Sequence, residues 1–403
     1  MQSRDELDRL AQDYLDRRID RRTFMRQGLL WGLSLSSLTA FLASCGTAAP
    51  AGQGAAVGTA GAPVHINVGY FPSWEGGLSG VIIKKRNLWQ KYLPKGSTVN
   101  WQVQIVGPPI VADLLANKEQ IGYIGDMPAF VATAKREIAD LRLVECNEFS
   151  PNGEMCCVLL VRSDAPKFKD YQEAVRWLTG KTIGISGKGS CGDRFVTTLM
   201  QKEHISARKE YLDPTIILTS LRTGKIDACQ TFEPHVAQIT SEGVGRVVAT
   251  GNDFGDQDAD FIVMRKDFID QHRDAAVGWI KADIEALQFI LGHPYETVKY
   301  LAAELPGYTT RQLWTAIYGR LPSSSGAGTV RTVAQAVFSK EVTDFIDKSF
   351  QFLYQDKILT IDKPLPGAVY TALVDQAVKE LGVTAPLGAI RGEPVSSFNP
   401  AKA

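Results

Sequence analysis

The sequence predicts an α/β protein of two lobes, each a mostly parallel sheet flanked by helices, with a helical C-terminal part. Three observations carry this. The chain has 403 residues, more than the roughly 100–200 of one domain. From Val64 onward, short β-branched runs alternate with helical stretches, the grammar of βαβ units. The same grammar restarts after Asp164-Ala165-Pro166, as a second lobe would.

The first lobe opens on Val64 to Tyr70, an alternating strand followed by the loop Phe71 to Gly77 and a helix from Leu78. Asn100 to Val106 is the next strand, and Gly107-Pro108-Pro109 turns it into a helix through Ala116. Gln120 to Gly125 is a third strand, and Met127-Pro128 opens a helix through Lys135. In the second lobe, Lys181 to Ser186, Thr215 to Leu218, Ile226 to Gln230 and Arg246 to Ala249 read as strands between helices. Phe261 to Met264 reads as a strand returning to the first sheet, and long helices follow, the last from Val330 to Gln355. The expected organisation is a first lobe over 64–162, a second over 163–253, and a return strand with C-terminal helices over 254–403. In open α/β sheets ligands sit at strand carboxyl ends, and two such rims would face each other.

The first residues read as an address rather than as fold. Arg21-Arg22-Thr23-Phe24-Met25 precedes an uncharged stretch from Gln27 to Ser44, and resembles a twin-arginine export signal. Leu42-Ala43-Ser44-Cys45 resembles a bacterial lipobox, with Cys45 as first mature residue and lipid attachment site. Residues 1–44 are then a signal peptide and 45–63 a flexible tether rich in Gly and Ala. The expected product hangs from the outer side of the cytoplasmic membrane, in the periplasm or at the cell surface.

Composition excludes other classes. Lys plus Arg and Asp plus Glu both number 44, so no net charge draws the chain to nucleic acid. Gly187-Lys188-Gly189-Ser190-Cys191-Gly192 matches the dinucleotide fingerprint, but no acidic residue ends the strand expected after it. Lys188 is followed by Gly189, so there is no Walker loop. No nucleophile–base pair and no metal-ligand spacing stands out; the reading is a binding protein, without cofactor, rather than an enzyme.

Four motifs, in order, carry a family resemblance. Trp101 to Pro109 followed by Leu114-Leu115-Ala116 and Ile124-Gly125-Asp126-Met127-Pro128 is similar to the aliphatic-sulfonate, taurine and nitrate family of ABC-importer solute-binding proteins. Lys181 to Ile185 with Gly187 to Ser190, then Gly224 to Ala228, then Phe232-Glu233-Pro234 resemble its later signatures. The resemblance implies a type II-like periplasmic-binding fold that closes on a small solute. It implies as partners an ABC permease and its ATPase, with the binding protein a monomer and the lipid its sole membrane contact.

The candidate ligand residues are Trp74, Gly125, Asp126 and Met127 from the first lobe, and Ser190, Cys191, Thr231 and Glu233 from the second. Each follows a predicted strand's carboxyl end. Gly125 to Pro128 and Gly187 to Gly192 both open helices, whose free N–H groups and partial positive charge suit a sulfonate, nitrate or carboxylate. Ser190 with Asp193 three residues on is a capping arrangement. Asp126 would oppose an anion, so it is expected to cap its own helix or meet a cationic part of the solute.

Two alternatives stay open. Besides Cys45, the cysteines are Cys146, Cys156, Cys157, Cys191 and Cys229, an odd number that leaves a free thiol. They are either small buried hydrophobes or, through Cys156, Cys157, Cys191, Cys229 and His235, a site for a thiophilic metal or metalloid. Gly153 to Cys157 distantly resembles the cysteine-rich segment of the yeast-type synthase for the thiamine pyrimidine. A binder of such a pyrimidine precursor, paired through Glu233 or Asp126, belongs to the same broad family.

Overall fold

The computed structural model describes residues 61–73, 75–321 and 330–403. Cys45, Arg21, Arg22 and Trp74 lie outside the described residues. In chain order the strands are β1 (His65–Tyr70), β2 (Thr98–Val103), β3 (Ile121–Gly125), β4 (Leu141–Ser150), β5 (Val158–Arg162) and β6 (Thr182–Ile185). Then follow β7 (Arg208–Tyr211), β8 (Ala228–Thr231), β9 (Gly245–Thr250), β10 (Asp258–Arg265), β11 (Val330–Ala334) and β12 (Gly388–Arg391). They form two sheets, ordered β12-β11-β4-β10-β3-β1-β2 and β7-β6-β8-β5-β9. Helices cover both faces of each. Among the described residues, no helix is long and apolar enough to cross a membrane.

The β1 pattern works as its alternation demands: Ile66, Val68 and Tyr70 are buried against the Glu75–Arg86 and Arg273–Gly292 helices. β3 is buried along its whole length, as an interior strand covered on both faces must be. Trp279, wholly buried, donates from its indole to Tyr123 of β3 at 3.0 Å and stands 5.5 Å from Trp101 of β2. The second sheet packs Cys157, Leu159 and Val161 on one face and Val158, Leu160 and Cys229 on the other.

Four expectations need correction. The sheets are mixed rather than mostly parallel: β1 pairs in parallel with β2 and β3, but β10 runs antiparallel to β3 and β4, and β5 antiparallel to β8 and β9. β4, β5 and β10 flank the crossings between lobes, so they enter each sheet against the direction of the βαβ strands. The chain crosses through Pro151–Cys157, because β5 pairs in the second sheet; the expected boundary at residue 162 is too late. Thr215 to Leu218 is helical, within Pro214–Arg222, because Asp213 accepts from the Thr215 amide at 2.8 Å and Pro214 pre-sets the first turn. That cap outweighs the β-preference of Thr215, Ile216 and Ile217, and the strand in that unit is the charged edge β7 instead. Finally, Val330 to Gln355 is not one helix: β11 extends the first sheet, and the helix begins at Lys340 behind the Ser339 cap.

Candidate functional site

Two crossings bring the lobes together, the first through Cys156 and the second through Asp258. The Cys156 amide donates to Asp258 Oδ2 at 3.0 Å, tying the two crossing segments to each other. Between the lobes lies a cavity of about 110 Å³. Phe71 and Phe232 form aromatic wall, and Gly107, Pro108, Gly125, Asp126 and Pro128 face the 186–191 loop across it.

Three helices begin at this cavity: Gly107–Leu115, Asp126–Thr133 and Cys191–Lys202. Their first turns carry amides with no carbonyl four residues back, and their dipoles add partial positive charge. The first helix offers little beyond its dipole, since Pro108 and Pro109 have no N–H. The third is the best prepared. Ser190 caps it, accepting from the Asp193 amide at 3.2 Å and donating to the Gly187 carbonyl at 2.7 Å. Asp193 reaches back to accept from the Gly189 amide at 2.9 Å, and is itself held by Lys209 at 2.8 Å and Tyr211 at 3.1 Å. Gly189 sits at φ +69°, where a side chain is strained. A Cβ on Gly192 would stand 1.8 Å from Gln230 Oε1, so only glycine lets Gln230 close under the loop. Gln230 accepts from the Ser186 hydroxyl at 3.2 Å and donates to the Cys156 carbonyl at 2.7 Å.

Asp126 is buried at the start of its helix. Its Oδ1 accepts from the Met127 amide at 2.6 Å, and its Oδ2 lies 3.7 Å from Arg194 of the opposite lobe. Arg194 also donates to Asp256 and to the Gln257 carbonyl, and stacks 5.2 Å over Phe345. Burial pushes the Asp126 carboxyl up to about 7; Arg194 pulls it down, while Asp258 and Asp256 push it further up. Burial alone would lower the Arg194 guanidinium, but Asp256 and its other anionic neighbours hold it above its ordinary value.

Of the residues expected from sequence, Gly125, Asp126, Ser190 and Cys191 line this cavity. Met127 is buried in the core behind it, and Thr231 is wholly buried in β8; neither lines the cavity. Glu233 points away: its Oε1 pairs with Arg331 at 2.9 Å and its Oε2 accepts from the Ala237 amide at 3.0 Å. The Phe232-Glu233-Pro234 turn therefore contributes Phe232 to the cavity instead. Phe71, Gly107, Pro108, Ser186 and Phe232 line it without having been expected from sequence, and Cys156, expected only as a soft-metal ligand, lines it too. Gly107-Pro108-Pro109 was legible as a strand-to-helix turn, and that position was the missed signal.

The soft-metal reading of the cysteines is overturned. Cys156 and Cys191 are disulfide-bonded, while Cys157 and Cys229 lie on opposite faces of the second sheet. Among the described residues, no group of His, Cys, Asp and Glu is placed to hold a metal ion. His235 is half-buried, hydrogen-bonded to Tyr308 at 2.8 Å, and pushed down to about 4 by desolvation, so it is neutral. Cys146, Cys157 and Cys229 are buried thiols outside the disulfide.

Comparison with known proteins agrees with this fold. The taurine-binding periplasmic protein of Escherichia coli (strain K12) is 26% identical over 236 residues, which cover 57% of this chain and 68% of that protein. The alkanesulfonate-binding protein of Xanthomonas axonopodis pv. citri, solved bound to MOPS, superimposes with a TM-score of 0.62 at 19% identity, covering 77% of this chain and 100% of that one. The periplasmic nitrate-binding protein of Synechocystis PCC 6803 gives 0.65 at 14% identity, covering 80% of this chain and 90% of the other. The last two share the fold, a two-lobed periplasmic-binding architecture. The family model described as NMT1-like matches residues 60–305, more than half of the chain, and the protein belongs to the NMT1-like family.

Proposed function

We propose that this protein is the extracytoplasmic solute-binding component of an ABC importer, which captures a small organic anion, such as an aliphatic sulfonate, taurine or a nitrate-like ion, between its lobes and delivers it to a membrane permease. One observation carries the reading: three helix N-termini converge on one interlobe cavity, and Asp126, the only carboxylate among the described residues lining it, is already faced by Arg194. Gly125, Ser190 and Cys191 are the contacts around an anion, with the Cys191 and Gly192 amides behind the Ser190 hydroxyl. The names of the relatives support the same solute class. The protein binds and releases its solute without turning it over.

A thermal-shift titration against alkanesulfonates, sulfate esters, nitrate, pyrimidines and amines tests this. A cognate anion at a hundredfold excess over its dissociation constant stabilises the protein by about 2.7 kcal/mol. If no anion in the panel shifts the transition while a neutral pyrimidine does, the anion reading is wrong.

The address of the mature protein is part of the same proposal. Arg21 and Arg22 direct twin-arginine export, and Cys45 carries a diacylglycerol anchor. Cell fractionation of an Arg21→Lys/Arg22→Lys strain and a Cys45→Ala strain checks both. Normal membrane attachment after Cys45→Ala rejects the lipid anchor.

A further inference from the structure

The Cys156–Cys191 disulfide forms part of the wall of the interlobe cavity, which both residues line. Cys156 belongs to the first crossing segment. Cys191 is the first residue of the Cys191–Lys202 helix, directly after the Ser190 cap. Cys146, Cys157 and Cys229 line no part of the cavity, so this pair alone brings sulfur to the place where a solute sits.

While the bond is intact, neither sulfur carries charge. Parted, the two differ. A Cys191 thiol stands at the head of a twelve-residue helix, where first-turn amides and the dipole favour the thiolate. Lys188, in the loop just before it, is the one cation among the described residues lining the cavity, and it favours the thiolate too. The acids nearby are already engaged: Asp126, across the cavity, faces Arg194 at 3.7 Å, and Asp193, on the helix of Cys191 itself, is held by Lys209 at 2.8 Å. Cys156 is wholly buried, and its amide is bonded to the Asp258 carboxyl, so burial and a neighbouring acid both disfavour charge on its sulfur. The donors that would receive a solute anion are thus the ones that would stabilise a negative Cys191.

We propose that this disulfide is a redox switch on solute capture: the bonded form leaves the head of the Cys191–Lys202 helix to an anion, and reduction turns capture off by placing the Cys191 thiolate there. This rests on the anion reading above and adds its regulation. A dithiol reductant supplies both electrons. Its thiolate attacks the Cys191 sulfur, 7% exposed where Cys156 is wholly buried; the bond between the cysteines breaks, and Cys156 leaves and takes a proton. The second thiol of the reductant then displaces Cys191 and closes the reductant's own disulfide. The protein has gained two electrons and two protons, and Cys191 gives its proton to solvent. Capture is off in a compartment kept reducing and on in an oxidising one.

Isothermal titration of the Cys45→Ala chain with ethanesulfonate, butanesulfonate and nitrate tests it, before and after treatment with dithiothreitol. Anion affinity should fall about tenfold or more on reduction, as two like charges in one small cavity require, and return on reoxidation. The ultraviolet absorbance of a thiolate should appear in the reduced protein at neutral pH and be missing from reduced Cys191→Ser. Two variants that both lack the bond separate charge from tethering. Cys156→Ser, which keeps the Cys191 sulfur, should bind several-fold more weakly than Cys191→Ser, and dithiothreitol should change neither. Near-ultraviolet circular dichroism and a cooperative thermal transition establish that the reduced protein and both variants are folded. Equal affinity of the oxidised and reduced wild-type protein, with thiol counting to show that the bond has opened, overturns the switch and leaves the anion reading standing. Equal weakening in Cys156→Ser and Cys191→Ser, or no thiolate absorbance on reduction, overturns it as well. If no anion binds either form while the thiolate absorbance still appears, the anion reading fails and the redox-controlled charge in the cavity stands.

Discussion

Arg331 of β11, wholly buried in the first sheet, donates to Glu233 Oε1 of the second lobe at 2.9 Å across 98 residues of sequence. The same guanidinium donates to the carbonyls of Ala316 at 2.6 Å and Glu154 at 3.2 Å. It therefore fastens the Phe232-Glu233-Pro234 turn, the first crossing segment and the Thr310–Tyr318 helix together. Glu233 spends its other oxygen on the Ala237 amide, capping the His235–Ser241 helix. Burial raises the Glu233 carboxyl, and Arg331 and the Ala237 amide draw it back down.

Removing one partner of such a pair leaves the other charged and buried. Arg331→Ala is expected to lower the unfolding free energy by about 3–5 kcal/mol. Glu233→Gln keeps the volume and one acceptor and should cost less, about 1–3 kcal/mol. Urea denaturation of both variants checks the order. Equal, small losses would show that the contact does not hold the turn.

Ser190 has two roles, and they separate in measurement. As N-cap of the Cys191–Lys202 helix, its loss in Ser190→Ala should cost about 0.5–2 kcal/mol of stability. As a contact to the solute, its loss should weaken anion binding by about 0.5–1.5 kcal/mol. Thermal unfolding without ligand reads the first, and calorimetric titration the second. Unchanged affinity would remove Ser190 from the ligand set while leaving it a cap.

Asp126 makes the cavity pH-sensitive. Its carboxyl titrates near 7 when folded and near 3.8 when not, so the folded protein holds the extra proton between those values. Its contribution to stability is therefore lost as pH rises from about 4 through 7, the reverse of an ordinary paired carboxylate. Anion affinity should follow the same sign, tightening as pH falls from 8 to 6 and the wall loses a negative charge. The change should be no more than about tenfold per pH unit. Asp126→Asn should flatten that dependence; a slope unchanged in the variant assigns it elsewhere.

The thiols give a count. In a Cys45→Ala protein the five other cysteines remain, with Cys156 bonded to Cys191 and Cys146, Cys157 and Cys229 buried. Burial raises the Cys157 thiol, with Asp256 adding to it, and burial raises that of Cys229, so neither is a thiolate at neutral pH. The native protein should resist a thiol reagent. It should show three reactive thiols in denaturant and five after reduction. Five in denaturant without reductant would refute the disulfide.

The sequence alone determined the βαβ grammar, because strands such as β1 and β3 bury regular patterns that period-two alternation or continuous apolar runs reveal. It also determined the Ser190 cap and the Gly125-to-Pro128 helix start, since capping needs only residues three or four positions apart. Neither β7 nor β11 was readable. Arg208 to Tyr211 is a charged edge with half its residues exposed, and Val330 to Ala334 is a strand only because β4 and β12 lie beside it. Tertiary structure alone decided the partners of the acids. Asp126 meets Arg194, Glu233 meets Arg331, and Cys156 meets Cys191, over separations of 35 to 98 residues. Local sequence holds no record of such pairings, because which buried charge is neutralised depends on how the two lobes fold against each other. For the same reason Glu233, placed at a strand end like Ser190, turned out to serve the contact between lobes, while Phe232 beside it faced the cavity.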